Sequence, residues 1–204
     1  TGAYASSTTY VSGNAVLNAA KIMKAMLLKE AAHVFKVDLD EIEFNGNKFC
    51  AKGKEISLSE LGNRLTYNED QKQLTATGSY VGTKSPPPFM AGFIEIEIDK
   101  ETFEYKVLDY VSVVDCGTTI NPKLAQGQVE GGIVQGLGMA GYEDVKYSSK
   151  GSLISNGFLS YAIPTTKTIH KLTTEFADSY EESGPFGAKS VGEIGIDTPP
   201  AALA

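Results

Sequence analysis

The chain has 204 residues and a mass of 21.8 kDa, the size of one large domain or two small ones. Apolar residues make up 42% and charged residues 21%, with 19 aromatics and no Trp, which excludes disordered and fibrous classes. The net charge is −7 and Arg64 is the only arginine, so the chain is a poor match for a nucleic-acid backbone. Cys50 and Cys116 are too few for a disulfide scaffold or a four-cysteine metal site. There is no N-x-S/T sequon, no signal peptide, and no apolar run near the roughly 18 residues a membrane helix needs. A reducing cytoplasm is the expected compartment. The chain starts at Thr1 without Met and stops at Ala204 just inside a helix start, which reads as a piece of a larger polypeptide.

Residues Thr1–Gly13 read as a loop of small and hydroxylated residues. Asn14–Phe35 follows a 3.6-residue period, with Val16, Ala19, Ala20, Met23, Ala25, Met26, Leu27 and Ala31 on the apolar face. Glu41–Ala51 is predicted to be two short strands about Asn45-Gly46, a strong hairpin signal. Ser57 or Ser59 caps a short helix through Leu65. The polar stretch Asn68–Pro88 reads as an irregular connection or a loop that covers something.

Phe89–Ile98 and Phe103–Asp115 alternate as strands and are predicted to pair as a hairpin. Glu41, Glu43, Glu95 and Glu97 read as a solvated strand face. Asn121-Pro122 opens a helix, with Asn as N-cap and Pro in the first turn. That helix carries Gly127, Gly131, Gly132, Gly136 and Gly138, each costing about 0.8–1 kcal/mol against Ala, which predicts close backbone approach or tight packing. Short strands are expected near Tyr142–Tyr147 and Leu172–Ala177, and Thr198-Pro199 starts a last helix by the same cap-plus-proline logic. The strand and helix mix gives an α+β, or mixed α/β, fold.

Three segments each run from a Gly, Ser or Thr loop into a helix start: Thr1–Asn14, Cys116–Gln128 and Gly184–Pro199. Helix N-termini offer free N–H groups and partial positive charge, which suits an anion in a protein that is itself acidic. Glu193 lies on the glycine-flanked loop "GAKSVGE", where a carboxylate can approach a ligand as a general base or simply be solvated. Gln128 in "QGQVEGG" offers an amide that both donates and accepts; its alternative is a surface glutamine. His33 and His170 have no partners at metal-ligand spacing.

"GAYASSTTYVSGNAV", "VVDCGTTINPKLAQGQVEGGIVQGLG" and "GAKSVGEIG", in that order, resemble the large, molybdenum-cofactor-binding subunit of the xanthine dehydrogenase family. The match covers essentially all 204 residues and corresponds to the second half of the molybdopterin-binding region. The resemblance implies a molybdenum–molybdopterin cofactor, often the cytosine dinucleotide in bacteria, with no protein ligand to the metal. It implies that Glu193 is the catalytic base that takes the proton from a Mo–OH group. The oxygen then attacks an electron-poor carbon and hydride passes to the sulfido ligand. Gln128 matches a residue that hydrogen-bonds the cofactor. Ala5, Ser6, Ser7 and Thr8 match the stretch that wraps it. Lys189 and Ser190, with Gly192 beside Glu193, match the loop next to the metal. Cys116 is read as a small packed residue.

The implied activity is hydroxylation of a purine, such as xanthine or hypoxanthine, or of a related N-heterocycle, with water as oxygen source. Oxidation of aldehydes, nicotinate-type compounds or carbon monoxide is the alternative within the family. A non-catalytic cofactor-binding module is the alternative outside it. The implied partners are the rest of the large subunit, iron–sulfur and FAD domains or subunits, and a small-molecule substrate, in an oligomer without nucleic acid or membrane. The 204 residues alone are expected to be inactive.

Overall fold

The structure, a computed structural model, describes residues 2–67 and 71–204. They fall into two compact units, Thr1–Gly13 with Gly82–Ala204, and Asn14–Val81. Helices and sheets are both present, as the mixed composition of elements predicts.

The first unit is built on a three-stranded sheet of order β4-β5-β6, with β4 at Phe89–Ile98, β5 at Tyr105–Asp115 and β6 at Leu172–Phe176. β4 and β5 form the predicted antiparallel hairpin. Glu95 pairs with Asp109 and Ile96 with Val107, so Leu108 is an extra residue and the inward phase of β5 shifts there. Val107 lies inward before the bulge, and Tyr110, Ser112 and Val114 lie inward after it. β6 pairs parallel to β5, and the connection between them carries helix α3, Pro122–Gly141. Val107, Tyr110, Val114 and Cys116 pack on Val129, Ile133 and Leu137 of α3, together with Ile169. Residues four apart on a helix share a face, which is why these three α3 side chains form one stripe.

α3 starts where the sequence predicts, and the Asn121 side chain accepts from the Leu124 amide at 3.1 Å. Four of its glycines divide into two groups. A Cβ on Gly132 would sit 2.9 Å from the Gly195 backbone, and one on Gly136 would sit 3.0 Å from the Ile196 carbonyl. Gly127 and Gly131 face open space, so close approach does not explain them. Two short helices, α4 at Ile194–Asp197 and α5 at Pro199–Leu203, pack on α3 through the first group.

Three local expectations are corrected in this unit. Thr8–Ser12 is a π-helical turn, not open loop, and the Gly13 N–H donates to the Thr8 carbonyl five residues back. Tyr142–Tyr147 is irregular: among the described residues its one β-bridge is the isolated Tyr147 to Leu153, with no strand beside it to complete a ladder. Thr198 does not cap α5 with its side chain; its hydroxyl bonds Tyr110 instead.

The second unit holds α1 (Gly13–Phe35), a three-stranded antiparallel meander of β1 (Glu43–Phe44), β2 (Lys48–Ala51) and β3 (Lys54–Ser57), and α2 (Leu58–Tyr67). β1 and β2 are the predicted Asn45-Gly46 hairpin, while β3 escaped the sequence reading because "KEIS" carries a single strongly apolar residue. Ala31, Phe35, Phe49, Ala51 and Leu61 form the core. The predicted apolar face of α1 holds at Ala31 but fails at Val16, Ala20 and Ala25, which are exposed. Glu41 lies in a 3-10 turn paired with Lys52, whereas Glu43, Glu95 and Glu97 are exposed as predicted. In the predicted connection Asn68–Pro88, residues 68–70 lie outside the described residues. Its later part runs along α1: Ser79 accepts from Asn18 Nδ2 at 2.9 Å, and Gly78 sits where a Cβ would collide with the Ala19 backbone.

Candidate functional site

Three loops converge in the first unit around a cavity of about 600 Å³. One is the segment before α1, one joins β5 to α3, and one precedes α4. These are the three loop-to-helix junctions singled out in the sequence. Ser6, Ser7, Thr8, Gln128, Lys189, Ser190, Gly192 and Glu193 all line the cavity. Ala5 does not, but its backbone contacts Glu193 directly.

The junctions are cross-tied. Ala5 N–H donates to Glu193 Oε1 at 3.2 Å, and Glu193 N–H donates to Ser6 Oγ at 2.9 Å. Tyr10 N–H donates to Ser190 Oγ at 3.2 Å, and the Tyr10 hydroxyl donates to Ser183 Oγ at 2.8 Å. Gln128 Nε2 donates to the Gly192 carbonyl at 2.7 Å, fixing the loop to α3. Ala5 and Ser6 both hold φ near +50°, at 52° and 48°. Two successive residues in the left-handed region are costly without glycine, and the bonds to Glu193 are what hold them there.

Glu193 is exposed and stands immediately before α4. Oε1 is occupied by Ala5, and Oε2 has no hydrogen-bond partner among the described residues. A carboxylate held by one oxygen and free at the other is oriented without being neutralised.

Electrostatics elsewhere in the cavity are less obvious from sequence. Lys189 brings an ammonium to the lining, but Nζ lies 2.7 Å from Asp115 Oδ2, with the two side chains 10% and 25% exposed. Burial alone would raise the Asp115 carboxyl, but Lys189, the Ser179 hydroxyl and the Gly117 amide outweigh it and hold it below the usual carboxylate range. Cys116 is buried, as expected of a packed residue, and burial pushes its thiol up. Among the described residues no group of three or more His, Cys, Asp or Glu side chains is placed to hold a metal.

Sequence reasoning found the junctions but missed individual partners. Thr9, Thr118 and Thr119 add hydroxyls to the lining, and Asn121 adds a carboxamide that also caps α3. The repeated Thr in "SSTTY" and "CGTTI" was the available signal. The Asp115–Lys189 pair spans 74 positions and carries no local signature.

These hydroxyls and amides suit a flat, polar-edged ring system. Ser6, Ser7, Thr8, Thr9, Thr118 and Thr119 can donate and accept around its rim, and the Gln128 carbonyl oxygen remains free to accept. A molybdopterin fits that donor set.

The profile of the family described as "Molybdopterin cofactor-binding domain" matches residues 1–170. The chain belongs to this family of cofactor-binding domains of the molybdenum hydroxylases, as its motifs indicate. It is 30% identical over its whole length to "Probable hypoxanthine oxidase XdhD" of Escherichia coli K12, across 21% of that protein. Over 94% of its length it is 31% identical to the carbon monoxide dehydrogenase large chain of Afipia carboxidovorans, across 24% of that chain. Quinoline 2-oxidoreductase from Pseudomonas putida 86 matches 99% of this chain at a TM-score of 0.86 and 27% identity, across 27% of its own chain. The chain thus spans about a quarter of the length of these relatives. Among the described residues no helix is long and apolar enough to cross a membrane.

Proposed function

We propose that residues 1–204 are the second half of the molybdopterin-binding region of a molybdenum hydroxylase, and that Glu193 is its catalytic base. The observation that carries this reading is the Glu193 carboxylate, fixed at Oε1 by the Ala5 amide and free at Oε2, at the wall of a hydroxyl-lined cavity. When bound, the cofactor supplies metal activation of a water-derived oxygen and accepts the substrate's electrons. The chain's own residues do the rest. Ser6, Ser7, Thr8, Ser190 and the Gln128 amide bind and orient the ring system, and the Gly192 backbone allows close approach. Glu193 Oε2 accepts the proton, and Oε1 stays bonded to Ala5 so that the carboxylate does not rotate away. A positioned base of this kind contributes about 10²–10⁴-fold.

The substrate in this proposal is a purine or related N-heterocycle. Likeness to a protein named as a hypoxanthine oxidase and to a quinoline oxidoreductase supports that class. The proposal also includes the cytosine dinucleotide form of the cofactor, iron–sulfur and FAD partner subunits that carry the electrons away, an oligomeric assembly, and a cytoplasmic location. The test is molybdenum analysis of the full-length subunit purified with its partners, followed by a substrate panel. Stoichiometric molybdenum with purine oxidation supports the reading. Molybdenum with turnover only of aldehydes, nicotinate-type compounds or carbon monoxide rejects the purine assignment. Absence of molybdenum leaves a non-catalytic binding module.

A further inference from the structure

Lys189 lines the cavity, yet its charge is spent inside the protein. Nζ is 2.7 Å from Asp115 Oδ2 and 5.3 Å from the centre of the Phe89 ring. Asp115 ends β5, the most deeply packed strand of its sheet. Its other oxygen, Oδ1, accepts from Ser179 Oγ at 2.5 Å and from the Gly117 amide at 3.1 Å. The backbone follows the same seam. Lys189 N–H donates to the Cys116 carbonyl at 2.7 Å, Thr118 N–H donates to the Gly187 carbonyl at 2.8 Å, and Gly117 bridges antiparallel to Ala188. Gly117 holds φ +66°, and a Cβ there would collide with the Gly187 carbonyl, so the approach of the two segments is built into the chain.

We propose that the Asp115–Lys189 ion pair is a positioning device that anchors the Glu193 loop to the end of β5, so that Lys189 acts on the reaction through Glu193. The inference rests on the reading of Glu193 as proton acceptor. The loop has two kinds of restraint. From Ser190 to the Glu193 backbone it is held by single neutral hydrogen bonds to Tyr10, Gln128 and Ser6, and the exposed Glu193 carboxylate accepts one more from the Ala5 amide. At its base it is held by a largely enclosed charge pair. A charge-assisted bond is about twice as strong as a neutral one. Removing one partner leaves the other charge enclosed and uncompensated, which favours moving the loop until that charge reaches water. Glu193 is four residues further on, and a displacement of about 1 Å can cost up to 10²-fold in rate.

The test uses the full-length, cofactor-loaded enzyme with three variants, Lys189→Met, Lys189→Arg and Asp115→Asn. In Lys189→Met, kcat should fall about 10-fold or more with KM within about twofold. Hydrogen exchange should speed up in residues 189–193 while α3 keeps its wild-type protection. Lys189→Arg keeps the charge and should restore kcat to within about threefold. Asp115→Asn keeps the shape of the carboxylate and should reproduce Lys189→Met, which secures the test if that variant folds poorly. Wild-type kcat in Lys189→Met, or faster exchange spread evenly over β5 and α3, would overturn the proposal. The exchange measurement does not depend on the role of Glu193. Failure of the pair appears as unchanged exchange in Lys189→Met; failure of the base assignment appears as normal turnover in Glu193→Gln.

Discussion

Ser6 and Glu193 are 187 positions apart in sequence, and the Ser6 hydroxyl accepts the Glu193 amide proton at 2.9 Å. Ser6 holds φ +48° to make that bond. Ser6→Ala loses the hydrogen bond, about 1 kcal/mol, and keeps the backbone strain. Ser6→Gly loses the same bond but relieves the strain. Thermal melts of the two variants should therefore rank Ser6→Gly above Ser6→Ala, and the reverse order would show that the first loop is not strained.

Glu193→Gln keeps the size of the side chain and removes its basicity. In the cofactor-loaded enzyme kcat should fall about 10²–10⁴-fold while molybdenum content stays near wild type. Glu182, exposed and outside the cavity lining, is the control and should change turnover little on conversion to Gln. Near-normal turnover of Glu193→Gln with its metal in place rejects the base assignment.

The α3 glycines should respond oppositely to substitution. Gly132→Val drives a side chain into the Gly195 backbone, and folding yield or molybdenum content should drop. Gly131 faces open space, so Gly131→Ala should raise stability by up to about 1 kcal/mol through helix propensity. Denaturant melts of both variants check the pair of signs.

Tyr110 and Thr198 share a 2.9 Å hydroxyl–hydroxyl bond beneath β4, where Gly92 leaves room for the Tyr110 ring. Burial raises the Tyr110 phenol, so it stays neutral at working pH. Tyr110→Phe should cost about 1 kcal/mol through the unpaired Thr198 hydroxyl. A double variant with Thr198→Val should recover part of that loss in a double-mutant cycle.

Ser57 and Glu60 form a reciprocal cap on α2. The Glu60 amide donates to Ser57 Oγ at 3.1 Å and the Ser57 amide donates to Glu60 Oε2 at 2.9 Å. Ser57→Ala should cost about 0.5–2 kcal/mol. The Ser57 hydroxyl, followed by its amide, holds the Glu60 carboxyl below its ordinary value. The unfolded chain therefore binds the proton more tightly, and the Glu60 contribution is complete above about pH 4.3. It is lost as pH falls through the lower folded value. Urea melts at neutral and strongly acid pH should show an acid-side loss that is smaller in Glu60→Gln.

The sequence by itself determined the elements whose signals close within a few residues. Asn45-Gly46 specified a turn, Asn121-Pro122 a helix start, and the alternation of Phe89–Ile98 a strand, because each depends on hydrogen bonds and side-chain periods local to the segment. It also marked the three loops that meet at the cavity, since a helix start after Gly, Ser and Thr is legible in one dimension. Tertiary structure decided what those loops do to one another. The parallel pairing of β6 with β5, the bond from Ala5 to Glu193, and the capture of Lys189 by Asp115 join residues dozens to nearly two hundred positions apart. The same holds for the failed expectations. Val16 fits a helical apolar period but is exposed, and among the described residues no strand lies beside Tyr142–Tyr147 to complete a ladder. A period or a cap states what a segment can do alone; burial and pairing energies depend on which other surface arrives, and only the packed chain settles that.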